Sequence, residues 1–134
     1  MRKRRKKRKP RVYISLPISG FSIAERKAYA KKKATEIKAN FLNKMDVEVN
    51  TITPFDICTQ KGLQYEEYLG RDIAVLATCD VIVMCEGWRK SLGCKVEYYF
   101  AKTANIIVEH TCEDDLIELE CESVVKEIDV GVKL

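Results

Sequence analysis

One stretch of the sequence constrains the fold more than any other: residues 80–101, DVIVMCEGWRKSLGCKVEYYFA. Residues 81–85 form a run of β-branched and apolar side chains between Asp80 and Gly87, which is typical of a strand buried on both faces of a parallel sheet. A short loop follows, and Ser91 can then act as the N-cap of a helix. The stretch therefore predicts a strand, a loop and a helix, which together form the building unit of α/β proteins.

The helix that follows Ser91 carries an apolar stripe that includes one carboxylate. At three- and four-residue spacing the stripe consists of Cys94, Glu97, Ala101 and Ala104, so we expect Glu97 to face the sheet. A carboxylate on an inward face loses its hydration, which is costly unless it is hydrogen-bonded or its proton affinity serves chemistry. Glu97 is therefore the first candidate functional residue.

The rest of the chain alternates strands and helices around this unit. We expect strands at residues 11–15, 47–52 and 105–109, a helix capped by Ser22, a loop at 53–63 and a helix at 65–78. The predicted inner stripes of the two helices are Ile23, Ala30, Ala34, Ile37 and Phe41, and Tyr65, Leu69, Ile73 and Leu76. Asp72 borders the second stripe. This order predicts an α/β three-layer sandwich with a mostly parallel, Rossmann-like (flavodoxin-like) sheet of four to five strands.

The charged residues divide the chain into two parts. Eight of the 24 basic residues lie consecutively at residues 2–9, so the remainder of the chain has 16 basic against 20 acidic residues. Because like charges repel and bury nothing, we expect a disordered basic arm at residues 1–10 and a single domain at 11–134. Residues 110–134 are a poorly defined C-terminal extension, with a short helix expected in 111–123 and an edge strand in 124–134.

The cysteines do not have the spacing of a metal site or a disulfide framework. Six cysteines occur without a Cys-x-x-Cys pair, and His110 is the one histidine. The N-terminus is charged rather than apolar, so we expect no signal peptide, a cytoplasmic location and buried, free thiols. No apolar run approaches the roughly 18 residues that a membrane span needs. No metal, cofactor or membrane contact is implied.

The predicted crevice lies beyond the carboxyl ends of the strands, where ligands of parallel sheets bind. The loops after residues 15, 52 and 85 would meet there. This placement gathers Tyr13, Ser15, residues 17–20, Trp88 and Ser91 around one crevice. Asp80 begins its strand at the opposite end, so we expect a structural role for it.

Four segments of the chain, in this order, resemble one known superfamily. They are residues 13–20 (YISLPISG), 68–72 (YLGRD), 80–83 (DVIV) and 87–97 (GWRKSLGCKVE). Together they are similar to the nucleoside 2-deoxyribosyltransferase superfamily, in particular to a branch with a YISGP-type start and a GW-x-x-S-x-G-x-x-x-E loop and helix. The related 2'-deoxynucleoside 5'-phosphate N-hydrolases share a comparable Ser-Leu-Gly-x-x-x-Glu. The resemblance covers residues 11–109.

The resemblance implies an enzyme that cleaves or exchanges the N-glycosidic bond of a nucleoside or nucleotide. In that superfamily a helix glutamate, here Glu97, attacks the anomeric carbon, and a carboxylate suits this role because it can form and release a glycosyl ester. Asp72 matches the aspartate that helps to protonate or orient the departing base, and Tyr13 matches the tyrosine that orients the nucleophile. Relatives assemble as dimers or larger, so we expect a homo-oligomer.

The loop after the first strand supplies the first residues expected to bind the substrate. Ser15, Ser19 and Gly20 precede a helix N-terminus that favours an anion such as a 5'-phosphate, and Pro17 and Ile18 belong to the same turn. Other candidates have a structural interpretation as well. Trp88 either stacks on a base or covers the core. Ser91 either donates to the ligand or only caps its helix, and Gly93 permits close approach of a ligand or of a neighbouring element.

Two further functional hypotheses stand beside the enzyme. Leu16 occupies a position where relatives usually have glycine, and a side chain that closes a backbone approach to the ligand favours a catalytically silent binder of a nucleotide-like metabolite. The basic arm favours non-specific contact of residues 2–9 with nucleic acid, or a nuclear import signal, or only a solubilising tail. The arm has no interleaved aromatic side chains, which argues against specific base contact.

Overall fold

The sheet is four-stranded and parallel throughout. The structure, a computed structural model, describes residues 8–57 and 62–111. Its strands are β1 (Arg11–Ser15), β2 (Asn50–Ile52), β3 (Val81–Met84) and β4 (Ile107–His110), in the order β2-β1-β3-β4. The predicted α/β class with a parallel sheet is confirmed. The edge strand expected in residues 124–134 lies outside the described ranges.

Helices cover both faces of this sheet. They are α1 (Ile23–Met45), α2 (Pro54–Ile57), α3 (Tyr65–Leu76) and α4 (Leu92–Thr103), with a single 3-10 turn at Trp88–Lys90 between β3 and α4. Helix α1 packs on one face, and α3 and α4 pack on the other. The sheet therefore separates two hydrophobic cores, which we call the α1-side core and the α4-side core.

Strand β1 contributes to both cores because its side chains alternate between the faces. Val12 and Ile14 point into the α1-side core, where they meet Ala30 and Ile37 of α1. Tyr13 points into the α4-side core. All three of these strand residues are fully buried. The alternation therefore turns the odd-numbered side chains of β1, which include polar groups, toward α3 and α4.

Asp80 joins β1 to β3 at the amino end of the sheet. Its carboxylate accepts a hydrogen bond from the Arg11 amide at 2.8 Å, and its own amide donates to the Arg11 carbonyl at 2.9 Å. The Arg8 guanidinium lies 3.4 Å from the same carboxylate. Both charged side chains of that pair are largely exposed, so the pair contributes little to stability by itself. The structural role expected for Asp80 agrees with these contacts.

Two elements differ from the prediction for reasons visible in their hydrogen bonds. Strand β2 begins at Asn50 rather than at residue 47, because its pairing with β1 starts at Arg11 and the residue before that, Pro10, has no N–H to extend the ladder. The region predicted as a loop contains α2. Its start is favoured by Pro54 at the first helical position and by Asp56, whose carboxylate accepts from the Thr53 amide (2.9 Å) and hydroxyl (3.1 Å).

Three side chains predicted for inner stripes are exposed instead. They are Ile23 at 52%, Tyr65 at 45%, and Ala104, which follows the end of α4. Each lies at or beyond a helix end, outside the part of the helix that the sheet covers. On α1 only Ala30 and Ile37 are fully buried, while Ala34 and Phe41 pack at the edge of the core.

The predictions for the cysteines and for the two ends of the chain can be compared with the structure only where it describes their residues. Cys79, Cys85 and Cys94 are buried free thiols, as predicted; the other three cysteines, residues 1–7 of the basic arm and residues 112–134 lie outside the described ranges. Lys9, in the described part of the arm, lies 3.2 Å from Glu48. None of the helices in the described ranges has the length and apolarity that a bilayer crossing requires.

Candidate active site

A buried carboxylate on α4 faces the polar side chains of β1. The helix begins at its N-cap Ser91, whose hydroxyl accepts from the Cys94 amide at 3.3 Å. From this start the buried positions of α4 are Cys94, Glu97, Tyr98 and Ala101. The stripe deduced from the sequence therefore brings Glu97 against the sheet, and the alternation of β1 presents Tyr13 and Ser15 to it.

Glu97 is fixed by one hydroxyl donor on each carboxylate oxygen. The Tyr13 hydroxyl donates to Oε2 at 2.5 Å, and the Ser15 hydroxyl donates to Oε1 at 2.7 Å. Tyr13 and Ser15 are fully buried, and Glu97 is 4% exposed. Both donors are neutral, so the carboxylate is oriented without being neutralised by a cation.

The surroundings of Glu97 act on its pKa in opposite directions. Burial raises the pKa of Glu97 to about 7, while the hydrogen bonds from Tyr13 and Ser15 favour the charged form and act to lower it. Burial and the nearby charge of Glu97 hold the pKa of the Tyr13 hydroxyl well above its usual range. Tyr13 therefore remains a hydrogen-bond donor at neutral pH.

Asp72 on α3 is the second acidic group near Glu97. It is half-buried, and burial together with the charge of Glu97 raises the pKa of Asp72 to about 7. No hydrogen-bond donor in the described part of the chain lowers this pKa. Glu97 has two such donors, which favour its charged form, and that charge in turn favours the protonated form of Asp72. We call Glu97 and Asp72 the carboxylate pair.

A cavity of about 690 Å³ opens beyond the carboxyl ends of β1 and β3. Its lining comes from the loops after these strands, the first turns of α1, and the starts of α3 and α4. The lining residues are Pro17, Ser19, Phe21, Arg26, Tyr29, Tyr65, Glu86, Gly87, Lys90, Ser91 and Leu92. Three of the predicted binding residues, Pro17, Ser19 and Ser91, are among them. The carboxylate pair, Tyr13 and Ser15 do not line the cavity.

Trp88 does not face the cavity, so the prediction that it stacks on a base is wrong. Its side chain is 2% exposed and belongs to the α4-side core, where its ring lies 4.7 Å from that of Tyr98. Gly87, with φ of 85°, reverses the chain just before it and turns the indole inward. The alternative interpretation, a loop tryptophan that covers the core, describes the structure.

Two other predicted binding positions in the loop after β1 also do not line the cavity. Ile18 is half-buried and packs against the α1-side core. Gly20 has a φ of 86° and no atom near the position of an added Cβ, so it serves the turn before α1. Leu16 is 3% exposed and points into the α1-side core with Val12 and Ile14. Its side chain therefore does not occupy the cavity.

Gly93 permits the close approach of a neighbouring element, and that element is α3. A Cβ at this position would lie 2.9 Å from the Tyr65 hydroxyl oxygen and 3.9 Å from Tyr65 Cζ. The φ of Gly93 lies outside the left-handed region, so the need for glycine is steric. This contact joins the first residue of α3 to the first turn of α4, four residues before Glu97.

Comparison with known proteins identifies the family and the fold. A family model described as "Domain of unknown function (DUF4406)" matches residues 10–110. The chain belongs to the DUF4406 family. No curated protein matches this DUF4406 chain.

A solved structure has the same fold as this DUF4406 domain. It is a "2-desoxiribosyltransferase from Leishmania mexicana", with a TM-score of 0.50 and 16% sequence identity over 75% of this chain and 63% of that chain. The domain therefore spans less than two thirds of the length of that structure. At this identity the similarity shows the fold alone, and it agrees with the Rossmann-like fold that the sequence predicted.

The DUF4406 domain has cavity residues that the sequence analysis missed. Arg26, which is outside the predicted inner stripe of α1, packs its guanidinium against the rings of Phe21 (4.3 Å) and Tyr29 (4.4 Å) and donates to the Pro17 carbonyl at 3.3 Å. Lys90 lines the cavity from the 3-10 turn. The sequence signal was the aromatic spacing around Arg26, three residues before one ring and five after the other. Among the described residues, no cluster of three or more acidic, histidine or cysteine side chains is arranged to hold a metal ion.

Proposed function

We propose that this protein cleaves or exchanges the N-glycosidic bond of a nucleoside or nucleoside 5'-monophosphate. The observation that carries the proposal is the buried Glu97 carboxylate, held by one hydroxyl on each oxygen, beside a second carboxyl group with a raised pKa. A buried charge is costly, and two neutral donors orient it rather than cancel it. This arrangement supports a chemical role for Glu97 better than a structural one.

In the proposed reaction the carboxylate pair divides the work. An oxygen of Glu97 forms a bond to the anomeric carbon as the bond from that carbon to the base nitrogen breaks, and the electron pair of the broken bond leaves with the base. Asp72 gives its proton to the departing base. Water or a second base then attacks the anomeric carbon, its proton passes to Asp72, and Glu97 leaves as a carboxylate.

Tyr13 and Ser15 are positioning residues in this scheme. Each hydroxyl fixes one oxygen of Glu97 and favours its charged form, so the nucleophile is oriented before the substrate arrives. The raised pKa of Tyr13 supports the same role, because a tyrosine that stays protonated cannot compete with Glu97 for a proton.

The cavity supports the choice of substrate class. Its volume falls in the range of roughly 300–1,000 Å³ that small-molecule sites occupy. Phe21, Tyr65 and Leu92 offer apolar surface to a base, while Arg26 and Lys90 offer positive charge to a phosphate. The two rings that contact the Arg26 guanidinium restrict its motion, which reduces the entropy lost on binding an anion. We therefore favour the monophosphate over the free nucleoside.

Release of free base tests the proposal directly. The protein is incubated with a panel of deoxynucleosides and their 5'-monophosphates, and the bases are separated by chromatography. We expect release from at least one monophosphate, and a rate lower by at least about a thousandfold for Glu97→Gln. Glu66→Gln, at an exposed position in the first turn of α3, is the matched control and should keep the wild-type rate. Equal rates for Glu97→Gln and wild type would refute the nucleophile.

A catalytically silent nucleotide binder is the second candidate, favoured by one observation. Glu97 is 4% exposed and does not line the cavity, so a ligand in the cavity does not touch it unless a side chain moves. Calorimetric titration with the same monophosphates separates the candidates. Saturable binding with no release of base from any of them would support the silent binder and reject the enzyme.

A further inference from the structure

Tyr65 belongs to the cavity lining and also approaches helix α4. It is the first residue of α3, it lines the cavity, and it is 45% exposed. Its hydroxyl oxygen sits against α4 at Gly93, 2.9 Å from where a Cβ would be. One side chain therefore contacts both the cavity and the helix that carries Glu97.

The spacing along the two helices places this contact on the same helix faces as the carboxylate pair. On α4, Gly93 and Glu97 are four residues apart and share a face, and side chains lean toward the N-terminus of their helix, so Glu97 extends toward Gly93. On α3, Tyr65 and Asp72 are seven residues, or about two turns, apart and also share a face. Burial first, and then the charge of Glu97, hold the pKa of Tyr65 above its usual value, which agrees with a hydroxyl close to Glu97.

The residues of α4 and its N-cap that precede Gly93 line the cavity, whereas Glu97, which follows Gly93, does not. Ser91 and Leu92 are cavity residues, whereas Glu97 is buried. A ligand that approaches Glu97 along α4 therefore meets the Tyr65 hydroxyl first.

We propose that Tyr65 controls access to the carboxylate pair, closing it when its hydroxyl is seated on Gly93 and opening it when the side chain swings into the cavity. The biological meaning of this gate depends on the proposed function, since it would admit the anomeric carbon of the substrate and exclude water before the substrate binds. The existence of the gate is a separate matter, because access to Glu97 can be measured without turnover.

The distances at Gly93 allow the gate to be held open by one added carbon. In Gly93→Ala the new Cβ would lie 2.9 Å from the Tyr65 oxygen, so the hydroxyl must move away. Alanine is the better helix former of the two residues, so the substitution does not weaken α4 itself. In the double variant with Tyr65→Phe the oxygen is gone, and the nearest remaining ring atom, Cζ, is at 3.9 Å, an ordinary contact. The aromatic ring can then return to its seat.

The experiment measures the accessibility of Glu97 in the full chain. The protein is treated with a water-soluble carbodiimide and an amine at one pH, and amide formation at Glu97 is followed by peptide mass spectrometry, with exposed Glu66 as the internal standard. We expect labelling of Glu97 to be at least tenfold faster in Gly93→Ala and in Tyr65→Ala than in wild type. The double variant Tyr65→Phe with Gly93→Ala should label within about twofold of Tyr65→Phe alone.

Gly70→Ala is the matched control, because Gly70 also lies in a helix and an added Cβ there meets no atom within 4 Å. Its labelling should equal that of wild type. Equal labelling of Glu97 in wild type and Gly93→Ala would overturn the gate, and so would labelling of the double variant that is tenfold or more faster than that of Tyr65→Phe alone. Gated labelling in a protein that releases no base would leave the gate in place and reject the chemistry.

Discussion

Two carboxylates lie at opposite ends of β1 and have different surroundings. At the amino end, Asp80 is 43% exposed and accepts from the Arg11 amide, with the Arg8 guanidinium nearby. Beyond the other end, Glu97 is 4% exposed and accepts from two neutral hydroxyls. Asp80 keeps contact with water and with a cation, whereas Glu97 has neither.

The difference teaches how surroundings assign a role to an acidic residue. A hydrated carboxylate that bonds to a backbone amide joins strands at little cost, and its charge is of no further consequence. A desolvated carboxylate with neutral donors stores free energy in its charged form, since its pKa is raised by burial. Such a group destabilises the fold at neutral pH, and this cost is consistent with a chemical role.

The pH dependence of stability should show the largest difference between the two carboxylates. The pKa of Glu97 is about 7 in the folded protein, above its ordinary value of 4.5. Between these two pH values Glu97 is therefore protonated to a greater extent in the folded state than in the unfolded chain. The contribution of Glu97 to the free energy of unfolding is therefore highest below about pH 4.5 and falls by about 3 kcal/mol as the pH rises through 7.

Chemical denaturation of wild type and Glu97→Gln from pH 4.5 to 8 measures this contribution. We expect the stability difference to move by about 3 kcal/mol in favour of the variant as the pH rises. The contribution of Asp72 to stability also falls as the pH rises. In Glu97→Gln, however, Asp72 no longer has the neighbouring charge that raises its pKa, so it cannot replace the pH dependence lost with Glu97. Tyr99→Phe, an exposed change on α4, should run parallel to wild type. Parallel curves for Glu97→Gln and wild type would mean that Glu97 is hydrated in solution.

Replacement of Asp72 should reduce the rate of base release by about 100-fold, or about 2.7 kcal/mol. The physical reason is the loss of the proton that Asp72 would give to the departing base. The rates of Asp72→Asn and wild type are compared on a natural monophosphate and on an analogue whose base leaves without protonation. The defect should shrink on the analogue. An equal defect on both substrates would assign Asp72 to binding rather than to proton transfer.

Asp80→Asn should have the smallest effect, a loss of about 1 kcal/mol or less in the free energy of unfolding. The asparagine oxygen can still accept from the Arg11 amide, while the exposed pair with Arg8 disappears. Urea titrations at low and high salt should show the loss mainly at low salt. The rate of base release should stay within about twofold of wild type. A tenfold loss of rate would show that the two ends of β1 do not act separately.

The parts of the fold that the sequence predicted are those with strong local signals. Strands β1 and β3 are continuous runs of β-formers, and α4 begins at a clear N-cap, Ser91. The predicted strand at residues 47–52 was longer than β2 because the residue that limits the pairing, Pro10, lies on the neighbouring strand side and leaves no signal within β2 itself. Helix α2 was missed because residues 53–63 were interpreted as a loop, although a proline such as Pro54 can occupy the first position of a helix.

The contacts of the site could be predicted from the sequence where they depend on the face of a single helix or on the alternation of side chains along a single strand. The stripe of α4 brought Glu97 inward, and the parity of β1 presented Tyr13 and Ser15 to it. The prediction that Trp88 stacks on a base was wrong because the direction of this loop side chain depends on the turn at Gly87. Arg26 was missed because the apolar pattern of α1 shows which residues face the core. It does not show which of the other residues line a cavity formed with neighbouring loops.

The alternation of side chains along β1 also has a genetic consequence. Adding or removing one codon within Arg11–Ser15 would exchange the two faces of the strand. Tyr13 and Ser15 would then turn toward α1, and an aliphatic neighbour would stand against the Glu97 oxygens. Point substitutions in this strand can alter the site and spare the sheet, but a change in its length cannot. We expect natural variants of this domain to differ in loop lengths and to keep the residue count of this strand.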